Sequence, residues 1–232
     1  MGGLMHQNKT IYNVGSPYQL AERVLEFFTS LNFKGGFFLE AGASNGVWQS
    51  NSYYLENILN WNGILVEPNT SMFTSCMQNR KNSKNHFFNC ALVSEDYSLD
   101  SIKGYFNERD YENILMAQIE GVEQSEERSK RWIGKQAIPV PARTLNSIME
   151  EVGNKVDFLS LDVEGYEVEA LNGSKIEKHR PKYVCVEVWS DGGQQEKIKD
   201  YFFQRGYKIN QYLSERDILF EDNKEENNGL LR

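Results

Sequence analysis

The chain of 232 residues is predicted to adopt an α/β fold built on a mostly parallel sheet. Three observations support this prediction: short apolar runs alternate with helical patterns, a glycine-rich turn follows the first run, and no helical pattern separates the last two runs. Continuous apolar strands that alternate with helices are typical of a parallel sheet covered on both faces. The last two runs predict a closing antiparallel hairpin, because a short connection can join only antiparallel strands.

The predicted elements begin with a helix. Residues 16–19 have the pattern of a capping box with proline at the first helical position, and residues 20–31 repeat apolar side chains at helical spacing. Strand-like runs follow at residues 37–39, 63–67, 86–93, 156–162 and 183–188. Helical patterns lie at residues 49–59, 71–79, 145–152, 168–171 and 195–204. The closing strands are predicted at residues 207–213 and 217–220.

One domain is predicted over residues 16–220, between an N-terminal tail at 1–15 and a flexible acidic tail at 221–232. Residues 96–136 interrupt the alternation with a polar stretch whose one apolar island is 113–119. Long excursions from compact domains are often lids or binding loops. We therefore predict a lid-like insertion that carries a helix.

The composition argues against several classes of protein. The 25 Lys and Arg residues against 33 Asp and Glu residues give a net charge of −8, which disfavours a nucleic-acid partner held by its phosphates. The three cysteines, Cys76, Cys90 and Cys185, have no paired spacing, so we expect no zinc site. The chain shows no signal-peptide pattern and no apolar stretch of roughly 18 residues. We expect a cytoplasmic protein without a membrane span.

The strongest chemical motif is the turn after the first predicted strand, residues 40–46 (Glu-Ala-Gly-Ala-Ser-Asn-Gly). Glycines permit a tight turn and close approach of the backbone to a ligand. Glu67 ends the second predicted strand, where a carboxylate can accept both hydroxyls of a ribose. Each feature alone is also typical of an ordinary strand-to-helix turn or strand-end acid, whereas together they predict a nucleoside-bearing ligand.

The glycine spacing favours S-adenosylmethionine (SAM) over a dinucleotide. Dinucleotide sites have the pattern Gly-x-Gly-x-x-Gly, whereas this turn has Gly42 and Gly46 separated by three residues. A pyrophosphate would be repelled by Glu40, whereas the ammonium and sulfonium of SAM suit an acidic turn. A third acidic element, Asp162 and Glu164, follows the fourth predicted strand and is expected to converge on the same crevice. The alternative is that these acids cap the next helix.

These motifs resemble those of the FkbM family of SAM-dependent methyltransferases. The resemblance rests on residues 38–46, 50–56, 61–68, 144–145 and 161–167, and spans roughly residues 16 to 190. It implies a Rossmann-like class I methyltransferase fold, with a mostly parallel seven-stranded sheet and a C-terminal antiparallel hairpin. It also implies methylation mostly of hydroxyl groups. One departure is Glu40, which stands where the family more usually has Asp.

The resemblance also implies roles by position. The turn at residues 40–46 would hold the methionine part of SAM and Glu67 the ribose, while Cys90 and Ala91 would lie near the adenine. Asp162 and Glu164 would face the reaction centre. The complete predicted cofactor-binding set is Glu40, Gly42, Ala43, Ser44, Asn45, Gly46, Ser50, Asn51, Glu67, Pro68, Cys90, Ala91, Asp162 and Val163.

An alcohol acceptor must lose its proton as it attacks the methyl group, so a positioned base is expected. None of the three histidines lies at a predicted strand end that faces the cofactor. The candidate catalytic residues are therefore the carboxylates Asp162, Glu164 and Glu187. The same carboxylates could hold Mg²⁺ or Ca²⁺, but their spacing requires no metal and none is expected. Four aromatic residues could form a sugar-stacking surface: Trp48, Tyr53, Tyr54 and Trp132. Trp132 is the preferred candidate for the acceptor side, because its segment would overhang the cofactor, whereas Tyr54 is expected to pack in the core.

The leading hypothesis is a SAM-dependent O-methyltransferase that acts on a sugar, a glycan or a small metabolite. Its alternatives are an N-methyltransferase and a non-catalytic interaction domain with the same fold. A nicotinamide-dependent enzyme is disfavoured by the glycine spacing. The expected partners are a small-molecule or glycan substrate, with no nucleic acid.

Overall fold

The computed structural model describes residues 19–106, 117–120, 136–189 and 193–224. The helices in these residues are α1 (Leu20–Ser30), α2 (Tyr53–Leu59), α3 (Thr70–Asn79), α4 (Leu145–Val152), α5 (Glu167–Asn172), α6 (Ile176–His179) and α7 (Gln194–Gln204). The strands are β1 (Phe37–Ala41), β2 (Asn62–Val66), β3 (His86–Phe88), β4 (Ala91–Leu92), β5 (Ser101–Phe106), β6 (Ala117–Ile119), β7 (Ile138–Arg143), β8 (Phe158–Leu161), β9 (Tyr183–Glu187), β10 (Tyr207–Tyr212) and β11 (Asp217–Asp222).

Seven strands form the main sheet in the order β10-β11-β9-β8-β1-β2-β3. The five strands from β9 to β3 run parallel, and β11 runs antiparallel to both β9 and β10. The predicted seven-stranded, mainly parallel sheet with a C-terminal antiparallel hairpin is therefore confirmed. Because β1 lies between β2 and β8, the turns that follow these three strands meet at one edge of the sheet.

Helices cover both faces of this sheet. Alternate strand residues point to opposite faces, so Phe38 belongs to the core under α1, α2 and α3, whereas Leu39 belongs to the core under α4, α5 and α7. The helix α1 begins directly after Gln19, whose φ is +58°. The rest of the predicted capping box, residues 16–18, lies outside the described residues.

A second sheet of four strands, in the order β4-β7-β5-β6, corrects two predictions. The predicted single strand at 86–93 is two strands: β3 pairs with β2 in the main sheet, whereas β4 pairs with β7 in the second. The predicted insertion contributes strands β5 and β6. No helix is present in the described residues of this insertion, and residues 107–116 and 121–135 lie outside them. A third apolar core, which includes Ile102, Ile119 and Val140, joins this sheet to the domain.

The C-terminal hairpin also extends further than expected. The acidic tail was predicted to begin at residue 221, but Glu221 and Asp222 pair with Tyr183 and Tyr207 as the last residues of β11. Asp222 also accepts a hydrogen bond from Arg180 Nε at 2.8 Å. Among the helices that the structure describes, none is long and apolar enough to cross a bilayer.

Candidate functional site

A cleft of about 780 Å³, counted with the part that is open to solvent, lies at the carboxyl ends of β1, β2 and β8. Nine of the predicted site residues line it: Gly42, Ser44, Glu67, Pro68, Cys90, Ala91, Asp162, Val163 and Glu164. Most of the residues that line this cleft are therefore ones that the sequence motifs singled out.

The turn after β1 is joined to both neighbouring strands by backbone contacts. The N–H groups of Gly42 and Ala43 both donate to the carbonyl oxygen of Val66 at 3.0 Å. On the other side, the Asp162 N–H donates to the carbonyl oxygen of Ala41 at 3.1 Å. Gly42 has a φ of +85°, and a Cβ there would lie 1.8 Å from the carbonyl oxygen of Asp162. Only glycine fits this position, because any side chain would collide with the end of β8.

Gly46 is required for a different reason than the one expected. Its φ is +77°, and a Cβ would lie 2.7 Å from Arg80 Cγ and 2.8 Å from Cys76 Sγ. These contacts belong to α3 and its C-terminal end, so Gly46 permits packing within the protein. Asn45 shapes the same turn, because its Oδ1 accepts the N–H groups of Val47 and Trp48 at 3.0 and 2.8 Å.

Glu40 lies beside the cleft and does not line it. Its carboxylate accepts hydrogen bonds from Ser50 Oγ at 2.8 Å, Asn51 N at 2.6 Å and Ser52 Oγ at 2.7 Å. Because strand side chains alternate, Glu40 shares its face of β1 with Phe38, toward α1 and α2. Glu40, Ser50 and Asn51, all predicted to bind the cofactor, are not among the residues that line the cleft; they form a buried network that supports the turn. Ala43 is also buried in that core.

Glu67 is the central acid of the cleft and is 7% exposed. Its Oε2 accepts the Ser44 N–H and its Oε1 accepts the Asn69 N–H, both at 2.8 Å. Burial raises the pKa of Glu67 to about 7, against the lowering effect of these two N–H groups, and the charge of Asp162 adds to the increase. Glu67 therefore changes its ionisation near neutral pH.

A second group of acids lies at the ends of β8 and β9. Carboxylate oxygens of Asp162, Glu167 and Glu187 lie within 4.8 Å of one another, a geometry that could hold a metal ion. Burial, with the charges of Asp162 and Glu164, raises the pKa of Glu187 well above its usual range. The Glu187 carboxyl is thus protonated at neutral pH. Its cross-strand partner Asp217 has a pKa raised by burial to about 6.

Glu167 connects this group to the backbone of the turn after β8. Its Oε1 accepts the N–H groups of Val163 and Gly165 at 3.0 Å, and its Oε2 accepts Gln194 Nε2 at 2.5 Å. Burial raises the pKa of Glu167 to about 7. Glu167 is the first residue of α5, so these hydrogen bonds tie the start of the helix to the turn that precedes it. The neighbouring Glu164 has a φ of +58°, an uncommon conformation for a residue with a side chain.

Six lining residues were absent from the predicted set: Trp48, Gln49, Val66, Leu92, Ile119 and Tyr166. Trp48 had been noted only as a possible acceptor contact, and it is 47% exposed at the edge of the cleft. Ile119 reaches the cleft through β6, which no sequence pattern indicated. Glu187 does not line the cleft, and Trp132 lies outside the described residues.

Comparison with known proteins gives one family match. The family described as the methyltransferase FkbM domain matches residues 40–209. No curated protein matches the chain. A methyltransferase structure from Pyrococcus furiosus is 12% identical with a TM-score of 0.41, over 87% of this chain and 83% of that one. A putative RNA methyltransferase from Pyrococcus horikoshii is 12% identical with a TM-score of 0.43, over the same shares of each chain.

Proposed function

The chain belongs to the FkbM methyltransferase family, and we propose that it transfers a methyl group from SAM to a hydroxyl oxygen of a sugar, glycan or small metabolite. The observation that carries the proposal is the position of Glu67 and Asp162 on either side of the Gly42 turn, in one cleft. Carboxylates at these positions suit a ligand with two ribose hydroxyls and a positive charge.

The chemistry of the cleft residues fits SAM. Ser44 Oγ is buried and has no hydrogen-bond partner among the described residues, so it is available to a polar group of the cofactor. Each oxygen of Glu67 accepts one N–H, and a carboxylate oxygen can accept more than one hydrogen bond, so both keep capacity for ribose hydroxyls. Asp162 and Glu164 supply negative charge to the same cleft.

Bound SAM would supply an electrophilic methyl group on a positively charged sulfur. The protein would hold the acceptor in line with it and remove the acceptor's proton. We assign the base to Asp162, because it lines the cleft and its charge acts on both Glu67 and Glu187, whose pKa values it raises. Glu187 holds its own proton at neutral pH, so it suits a hydrogen-bond donor better than a base. Glu164 is the second candidate.

The test incubates the protein and methyl-labelled SAM with fractionated extracts of the organism that makes the protein. Separate arms contain glycans, lipids, small metabolites and RNA. We expect label in a methyl ether of a hydroxyl group, with the signal lost in Asp162→Asn and kept in the matched control Asp200→Asn, an exposed residue of α7. Label on nitrogen or in RNA would contradict the proposed acceptor. S-adenosylhomocysteine (SAH) binding with no product in any fraction would favour a non-catalytic domain.

A further inference from the structure

Arg80 is a buried cation that sequence reasoning did not single out. It caps the C-terminal end of α3 and is 1% exposed. Its Nη1 donates to the carbonyl oxygen of Gly46 at 3.1 Å and to Ser50 Oγ at 3.0 Å. Its Nη2 donates to Ser52 Oγ at 3.0 Å. All three partners belong to the chain segment between β1 and α2, which forms one wall of the cleft.

Two carboxylates complete this network. Arg80 Nη2 lies 2.8 Å from Glu56 Oε2, and Arg80 Nη1 lies 3.7 Å from Glu40 Oε2. Glu40 accepts hydrogen bonds from the same Ser50 and Ser52 hydroxyls that face Arg80. The guanidinium fork thus connects α3 with the end of β1 and with the start of α2. A Lys ammonium has no planar fork and could not make this set of hydrogen bonds together.

The segment that Arg80 holds contains strained residues of the cleft wall. Ser44 and Gln49 line the cleft with φ values of +47° and +59°. Such conformations cost free energy in residues with side chains, and they persist only where the surroundings over-determine them. Arg80 contacts Gly46 and Ser50, so its hydrogen bonds hold the chain on both sides of Trp48 and Gln49.

We propose that Arg80 is a positioning residue for the cofactor, which keeps residues 44–49 in the conformation that binds SAM. It acts through the backbone of the turn and the Glu40 carboxylate and does not contact the cofactor itself. The inference rests on the proposed function, because it assigns the cleft to SAM. It predicts that loss of the guanidinium fork weakens cofactor binding more than it slows methyl transfer at saturating SAM.

The test compares Arg80→Lys with Arg180→Lys. Arg180, at the C-terminal end of α6, is a matched control because its guanidinium also pairs with a carboxylate, that of Asp222 on β11, and neither residue lines the cleft. In Arg80→Lys we expect the KM for SAM and the Kd for SAH to rise about tenfold, with kcat at saturating SAM within about twofold of the original protein. In Arg180→Lys we expect a lower Tm and an unchanged Kd. An unchanged Kd in Arg80→Lys would overturn the proposal.

Two further measurements cover the remaining outcomes. If Arg80→Lys does not fold, the variant Ser50→Ala takes its place, because it removes one hydroxyl that bridges Glu40 and Arg80. It should raise the Kd for SAH a few-fold, and an unchanged Kd overturns the proposal.

Hydrogen exchange separates this inference from the proposed function. If the original protein binds no SAH, the cofactor assignment fails. Faster exchange at residues 44–49 in Arg80→Lys, with α7 unchanged, would still support the positioning role, and unchanged exchange would refute it.

Discussion

The backbone at Gly42 lies so close to the carbonyl oxygen of Asp162 that a Cβ would be only 1.8 Å from that oxygen. The contact joins two motifs that are 120 residues apart in the chain, the turn after β1 and the acidic turn after β8. Because both turns line the same cleft, a change at Gly42 alters the position of Asp162 as well as the shape of the turn. This relationship leads to the first of four predictions.

Gly42→Ala should destabilise the fold and abolish SAH binding. Gly153→Ala is the matched control, because Gly153 has a similar φ of +74° but no atom within 4 Å of its Cβ position. The control should lose only the backbone cost of a left-handed residue, about 1–2 kcal/mol. Denaturant unfolding and calorimetry with SAH measure the two effects. Equal destabilisation of the two variants, with SAH binding kept, would contradict the importance of the Gly42–Asp162 contact.

The affinity for SAH should depend on the ionisation of Glu67. An ionised carboxylate accepts ribose hydroxyls better than a protonated one, and burial holds the pKa of Glu67 at about 7. Affinity should therefore rise about tenfold between pH 6 and pH 8, since the ionised fraction rises by about that factor. Calorimetry at several pH values checks this expectation.

Two variants assign that pH dependence. Glu67→Gln should bind SAH weakly at every pH and show no such rise. Glu167→Gln removes another carboxyl whose pKa is about 7, and it should keep the rise. If the rise disappears in Glu167→Gln and persists in Glu67→Gln, the titrating group is Glu167.

Glu187→Gln should have a larger free energy of unfolding than the original protein, and this difference should grow as the pH increases. The pKa of Glu187 is raised in the folded state, so the folded protein binds more protons than the unfolded chain above about pH 4.5. Its contribution to the free energy of unfolding therefore falls as the pH rises through that value. A Gln side chain does not titrate and has no such loss. The difference in free energy of unfolding between the variant and the original protein should therefore grow by up to about 1.4 kcal/mol per pH unit.

Denaturant unfolding between pH 5 and pH 9 measures this gain. Glu215→Gln is the control, because Glu215 is an exposed carboxylate in the turn between β10 and β11. An absent gain in Glu187→Gln would show that the Glu187 carboxyl is ionised in the folded protein. An equally large gain in Glu215→Gln would show that the effect does not come from the burial of Glu187.

Asp162→Asn should lower kcat by roughly 10²–10⁴-fold, which is the usual contribution of a positioned base. Glu187→Gln should leave kcat within a few-fold of the original protein, because that carboxyl already holds its proton. Once the acceptor is identified, steady-state kinetics at saturating SAM measures the kcat of both variants and of the original protein. The reverse order of effects would assign the base to Glu187, and a loss confined to Glu164→Gln would assign it to Glu164.

The main sheet could be predicted because its central strands β1, β2, β8 and β9 are buried on both faces and therefore read as continuous apolar runs. The second sheet could not be predicted in this way. The strand β4 has two residues, and β7 contains Pro139 and Pro141, which normally argue against a strand. Residues on β5 alternate between exposed and buried over most of its length, so no continuous apolar run marks it. Its pairing with β7 is a long-range contact that no local pattern encodes.

The sequence by itself determined the main sheet, the cleft at its edge and the acids Glu67, Asp162 and Glu164 around that cleft, because strand ends and glycine turns are local features. Only the tertiary structure decided the surroundings of each acid. Glu40 faces the buried Arg80 network because its side chain lies on the same face of β1 as Phe38. Glu187 holds its proton because it is buried near other carboxylates. Side-chain direction, burial and the approach of distant charges arise from packing, so they cannot be read from the order of residues along the chain.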